Sequence, residues 1–126
     1  MAINWYPGHM AKTKREIKEN IDLIDIVYEV IDARIPTSSK NKDVDNLIKN
    51  KPRILIMTKY DLCDKNETGK WILKYKNEGN ICVTCDSKNS NDYKKVINEV
   101  KNLMTELNRK RANKGLLPKK AKCLVV

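Results

Sequence analysis

Apolar residues recur along this chain in two alternating periods, and each switch of period marks an element boundary. After an extended, aromatic N-terminal segment, Met10, Ile17, Ile21 and Ile24 keep helical spacing, with Lys12, Lys14, Arg15 and Lys18 on the exposed sides. The β-branched run Ile26 to Ile31 predicts a strand ending at Asp32. A polar stretch with Pro36, Ser38 and Ser39 leads into a short helix carrying Val44, Leu47 and Ile48, which Lys51-Pro52 breaks. Arg53 to Met57, continuously apolar from Ile54 on, reads as a strand covered on both faces. A helix around Glu67 to Asn77 carries Trp71, Ile72 and Tyr75, with Gly79 as its C-cap. Ile81 to Thr84 reads as a third strand. Tyr93, Val96, Ile97, Val100, Leu103, Met104 and Leu107 then form the strongest helical stripe, and Lys122 to Val126 reads as a fourth strand. Strands alternating with helices predict an α/β fold: a three-layer α/β/α parallel sheet of about four strands with right-handed crossovers.

The length of 126 residues fits one domain, 1–126. Hydrophobic residues at 40% and charged residues at 33% exclude collagen-like and low-complexity classes. No stretch approaches the roughly 18 apolar residues of a membrane span, and no signal-peptide pattern is visible, so the expected compartment is the cytoplasm. The four cysteines are then expected as reduced thiols. Net charge is +10, which suits a polyanionic partner such as RNA. Much of it falls in a connector, 109–122, that carries Arg109, Lys110, Arg111, Lys114, Lys119, Lys120 and Lys122, and no acid follows Glu106. The connector is either a solvated linker or an RNA contact through Arg109, Lys110, Arg111, Lys119 and Lys120.

In a parallel sheet, ligands bind beyond the carboxyl ends of the strands, so the strand-end residues are the candidate chemistry. The first strand is followed by Asp32-Ala33-Arg34-Ile35-Pro36, the second by Thr58-Lys59-Tyr60-Asp61, and the third by Cys85-Asp86-Ser87-Lys88. A T/N-K-x-D loop has a physical logic for guanine. Its carboxylate accepts two charge-assisted hydrogen bonds, from the ring N–H and the exocyclic amine, a pair that adenine does not offer. Its lysine stem lies along the purine face while the ammonium stays in water. An S-K element on the next strand end can cover the other face. Read alone, Asp61 is also an ordinary turn or N-cap residue and Lys88 an ordinary loop lysine.

These segments, together with Pro7 to Asn20 and the terminal strand with its basic lead-in, resemble the circularly permuted ribosome-assembly GTPases of the ribosome biogenesis GTPase A type over essentially the whole chain. The resemblance implies a partial P-loop NTPase fold with strand order fourth-first-second-third. It implies guanine contacts from Thr58, Lys59, Asp61, Asp86, Ser87 and Lys88, and a family D-A-R-x-P element at Asp32, Arg34 and Pro36. It further implies GTP or GDP as ligand, Mg2+ in the complete protein, and action on the large ribosomal subunit and its rRNA. Thr58 stands where the family usually has Asn, and Asp86-Ser87 departs from the usual S/N-A-K. The phosphate cradle G-x-x-x-x-G-K-[ST] is not found; the Gly69-Lys70 pair is followed by Trp71 and lacks the upstream Gly. The chain therefore reads as the guanine-recognition half plus the first strand of the phosphate half, 122–126, cut before the cradle, with no hydrolysis expected of it alone.

His9 is the only histidine. In a loop it is an ordinary surface or packing residue, and the resemblance implies that in a complete enzyme it assists attack by water. Cys82 and Cys85 form a C-x-x-C, but strand residues three apart face opposite ways, so core packing of Cys82 is expected rather than a disulfide or metal pair. Two other classes stay open: a non-enzymatic RNA-binding module and an inactive fragment. An open sheet edge at the fourth strand is expected to favour self-association.

Overall fold

The computed structural model describes residues 7–36, 42–48, 51–86, 88–89 and 91–126. Helix α1 spans Pro7–Asn20 and continues as a 3-10 turn, Ile21–Leu23. There follow β1 (Ile26–Asp32), α2 (Lys42–Ile48), β2 (Arg53–Thr58), a 3-10 turn (Tyr60–Leu62), α3 (Lys65–Asn77), β3 (Ile81–Thr84), α4 (Tyr93–Asn113) and β4 (Cys123–Val125). All strand pairs are parallel, in the order β3-β2-β1-β4. This is the fourth-first-second-third order that the family resemblance implies.

Alternation along the strands assigns the layers. Val27 and Ile31 of β1, Leu55 and Met57 of β2, and Cys82 of β3 point to one face. There they meet Ile17 of α1, Ile48 of α2, and Trp71, Ile72 and Tyr75 of α3. Ile26, Ile54 and Val83 point to the other face, against Val96, Val100, Leu103, Met104 and Leu107 of α4. Seven large side chains, Ile26, Val27, Ile31, Ile48, Ile54, Leu55 and Met57, are under 2% exposed. Each contributes roughly 1.5–3 kcal/mol by leaving water, which makes the sheet the stable platform for its loops.

Both long crossover helices end on glycine. Gly79 (φ 93°) and Gly115 (φ 74°) adopt left-handed backbone. Asn80 N–H then reaches Tyr75 C=O, and Leu116 N–H reaches Arg111 C=O, closing the last turns. At the other end of α3, Asp64 Oδ1 accepts the Asn66 and Glu67 amides at 3.0 and 3.3 Å, so the helix starts at Lys65, earlier than its apolar stripe indicates.

Two further boundaries differ from the sequence reading. The first helix begins at Pro7, so His9 lies in a helical turn and not in an extended loop; proline is tolerated in a first turn, where its missing N–H costs nothing. The basic connector is shorter than 109–122, because α4 runs through Asn113 and carries Arg109, Lys110 and Arg111 on its last turns. Cations are favourable at that helix end, which is why a basic run did not stop the helix. The fourth strand is as expected: Val126 C=O accepts from Val30 N–H at 3.1 Å, and Lys122 C=O accepts from Asp25 N–H at 2.8 Å.

Candidate functional site

Since every strand is parallel, the ends of β1, β2 and β3 bring their loops to one edge of the sheet, and a set of cross-loop hydrogen bonds joins them. Ala33 N–H donates to Thr58 C=O at 2.8 Å, and the Thr58 hydroxyl donates to Ile31 C=O at 3.2 Å, fastening the first loop to the second. Tyr60 N–H donates to Cys85 C=O at 3.1 Å, and Cys85 N–H to Met57 C=O at 2.9 Å, fastening the second to the third. From below, the buried hydroxyl of Thr68 on α3 donates to Ala33 C=O at 2.7 Å.

The predicted site residues fall on this frame as follows. Thr58 is half-buried and its hydroxyl is committed to the frame, while Lys59 and Asp61 are exposed. Asp61 lies within the 3-10 turn Tyr60–Leu62 and does not cap α3, a role taken by Asp64. Lys59 has φ 58°, the one positive φ outside glycine among the described residues. Such left-handed backbone in a side-chain-bearing residue is uncommon and clusters at functional loops. Asp32 ends β1 and accepts from the Arg34 backbone amide (2.9 Å) and guanidinium (3.1 and 2.8 Å), with the Lys59 ammonium 3.6 Å away. The Arg34 hydrogen bonds hold the Asp32 carboxyl down to about 2 against desolvation by burial, so it is an anion at any working pH. Pro36 is buried. Asp86 and Lys88 are exposed in the third loop; Ser87 lies outside the described residues, as does the side chain of His9.

Three contributors were missed. Asp92 is 4% exposed, and its carboxylate accepts the Asp86 amide at 2.7 Å and the Lys95 ammonium at 3.2 Å, which fixes the third loop. The Asp86 amide holds its carboxyl below the ordinary range. Asp92 precedes α4 without capping it through its side chain, which the fold turns back to the loop. Thr68 lies in an exposed-looking stretch of α3 that gives no hint of its hydrogen bond. Asp25, at the opposite end of β1, takes the Lys119 ammonium at 2.7 Å and the Lys122 amide at 2.9 Å. Burial works against its charge, yet Lys119 and Lys122 hold its pKa below the usual value.

That last cluster places the basic residues. The end of α4 and the segment leading to β4 lie at the amino ends of the strands, away from the loops that follow β1, β2 and β3. Lys119 is bound to Asp25 there, Arg111 Nε donates to Leu117 C=O at 2.9 Å, and Arg109 pairs with Glu106 at 2.8 Å. Lys110, Lys114, Lys120 and Lys122 are exposed. Cys82 and Cys85 pack on opposite faces of the sheet, all four thiols are free, and burial raises the pKa of both, so the C-x-x-C is packing. Among the described residues no three His, Cys, Asp or Glu side chains gather to hold a metal, and no helix is long and apolar enough to cross a membrane.

No protein-family model matches the chain. The ribosome biogenesis GTPase A of Priestia megaterium is 40% identical over 127 aligned positions, which take in 100% of this chain and 44% of that protein. The chain belongs to the ribosome biogenesis GTPase A family. It spans less than half the length of that relative. Its fold is similar to the crystal structure of GNP-bound YlqF from T. maritima, with a TM-score of 0.57 at 27% identity, over 90% of this chain and 41% of that one. A GDP-bound YlqF structure is similar with a TM-score of 0.55 at 26% identity, over 88% of this chain and 40% of that one. The α/β parallel sheet read from the sequence thus matches part of the fold of the GNP-bound YlqF structure.

Proposed function

We propose that this chain is the guanine-recognition part, residues 1–126, of a ribosome-assembly GTPase. The observation that carries the reading is the cross-loop frame. It gathers D-A-R, T-K-x-D and D-S-K loops from three neighbouring strands at one sheet edge. Asp61 accepts the guanine ring N–H and exocyclic amine, Lys59 lies along one purine face, and Lys88 with its neighbours Asp86 and Ser87 closes the other. The GNP-bound and GDP-bound relatives support a guanine nucleotide as ligand. The sequence contains no G-x-x-x-x-G-K-[ST], so hydrolysis, water activation by His9 and action on the large subunit are assigned to the longer protein. Mg2+ coordination is assigned with them to the complete protein.

Without phosphate contacts, affinity rests on the charge-assisted pair from Asp61, worth roughly 1.5–3 kcal/mol, and on purine coverage. Binding is therefore expected near a tenth of a millimolar or weaker, on the order of –5 kcal/mol. Calorimetry with guanosine, GDP, GTP and adenosine, at salt that screens phosphate attraction to a +10 chain, tests it. Guanosine, GDP and GTP should bind about equally, adenosine worse, and Asp61→Asn should abolish the difference. Equal binding of guanosine and adenosine by the unmodified chain refutes the reading.

A second contact, with rRNA, is favoured by the exposed Lys110, Lys114, Lys120 and Lys122 at the opposite sheet end. Neutralising Lys110 and Lys120 should weaken RNA binding and lower its salt slope by about one counterion for each phosphate no longer neutralised. Lys119→Ala, whose ammonium is held by Asp25, should act mainly on stability. An unchanged slope for the first pair makes the segment a solvated linker.

A further inference from the structure

Lys59 presents two features that the guanine reading does not explain. Its backbone is left-handed at φ 58°, and its long, half-exposed side chain does not lie free in solvent but is drawn toward the end of the neighbouring strand. A lysine stem has several rotatable bonds. To lie along a ring it must give up that freedom on binding, unless something has already restricted it.

The group that faces its ammonium is Asp32, with Oδ2 3.6 Å from Lys59 Nζ. Asp32 is itself immobilised. The Arg34 amide and guanidinium nitrogens take both its oxygens between 2.8 and 3.1 Å, and its side chain is 19% exposed. Its backbone is equally fixed, since Asp32 is paired with Thr58 in the β1–β2 ladder and Ala33 N–H donates to Thr58 C=O. The carboxylate and the lysine backbone are therefore held on adjacent strands in one rigid frame, and only the lysine stem between them is flexible.

Resting on the guanine reading above, we infer that Asp32 is a positioning residue for Lys59. Its carboxylate, locked by the Arg34 fork, holds the lysine stem across the space where the purine face would lie. Arg34 acts one step further back, by fixing the carboxylate. On this view the D-A-R element contacts no base. It lowers the ordering cost that Lys59 would otherwise meet on binding. The carboxylate remains ionised throughout the usable pH range, so the hold is constant and not a pH switch.

The test is a double-mutant cycle on the whole 126-residue chain, read by NMR titration with guanosine and adenosine. Asp32→Asn should weaken guanosine binding about threefold to tenfold while the ratio of guanosine to adenosine affinity stays the same, because Asp61 sets that ratio. Lys59→Ala should weaken it by a similar factor. Adding Asp32→Asn to Lys59→Ala should then change affinity less than twofold. An Asp32→Asn effect as large in the Lys59→Ala background as in the unmodified chain overturns the inference, since the carboxylate would then be acting on the loop as a whole. A ligand-free measurement separates this result from failure of the guanine reading. Relaxation of the Lys59 Cε and Nζ signals should show faster side-chain motion in Asp32→Asn, and unchanged motion overturns the positioning role whatever the ligand. If the unmodified chain does not distinguish guanosine from adenosine, the guanine reading fails, and the purine-clamping role of Asp32 fails with it.

Discussion

Arg53 opens β2 beneath the helical layer, its side chain only 10% exposed. Its Nη1 donates to Glu29 Oε2 at 3.1 Å and to Asp45 Oδ1 on α2, and the Glu29 side chain is 4% exposed. Glu29 occupies a core-facing position of the central strand, where an ionised carboxylate is tolerated only with a cation beside it. Arg53→Met keeps most of the apolar stem but removes the guanidinium from which Glu29 Oε2 accepts. Losing one partner of a buried pair costs about 3–5 kcal/mol, mostly the desolvation of the charge left behind. Asp45 is 35% exposed, so water can take over its half of the network at little cost. Against a total of roughly 5–15 kcal/mol for a domain this size, the loss is severe and should lower Tm by on the order of 10 °C. The informative comparison is Glu29→Met with Arg53→Met, which removes both charges and should recover to within about 1 kcal/mol of the unmodified chain. Urea unfolding followed by circular dichroism measures both. A single substitution costing under about 1 kcal/mol, or a double as unstable as the single, would refute the buried-charge argument.

The same logic applies on a smaller scale at Thr68, 2% exposed: Thr68→Val keeps the shape but strands the buried Ala33 carbonyl, costing about 1–3 kcal/mol in the same unfolding assay, with Thr68→Ser close to neutral. For Asp32, the folded pKa of about 2 lies below its ordinary 3.8, so its stabilisation is fully present above about pH 4 and is lost as pH falls through 2. Acid unfolding of Asp32→Asn should accordingly show a flatter stability profile between pH 4 and 2, and a profile parallel to that of the unmodified chain would contradict the ion cluster. At the sheet edge, β4 pairs with β1 on one side only among the described residues, and Val125 is 62% exposed. Association that grows with concentration in sedimentation runs, and that Val125→Lys suppresses, is the expected result.

The fold was largely legible because each element carries its own period. The β-branched run at Ile26 to Ile31 and the α4 stripe from Tyr93 to Leu107 owe little to distant context, and both appear where the pattern puts them. The errors lie at boundaries that capping decides. Pro7 and Asp64 move two helix starts earlier, and Gly115, not the onset of basic residues at Arg109, ends α4. Strand-end chemistry could be located because parallel topology alone brings three loops to one edge. What joins those loops could not be read, since it consists of backbone groups, such as Ala33 N–H with Thr58 C=O, and of side chains from elsewhere in the fold. Asp92 and Thr68 are ordinary polar residues at ordinary helix positions until the tertiary structure turns them inward.

The two carboxylates flanking β1 show how the fold separates its two candidate partners. Asp25, just before the strand, fastens Lys119 and the Lys122 amide, and so holds the basic segment at the amino edge of the sheet. Asp32, the last strand residue, faces Lys59 at the carboxyl edge. At roughly 3.3 Å per residue, the seven residue steps from Asp25 to Asp32 span about 23 Å, beyond the screening length at physiological salt. A polyanion on the lysines therefore competes with a purine on the loops neither for space nor appreciably for charge. Any influence of one on the other has to pass through β1, whose Val27 and Ile31 are fully buried and whose ladder is paired on both sides. A strand held that firmly has no alternative register to shift into, so within this chain the two proposed contacts are expected to act independently.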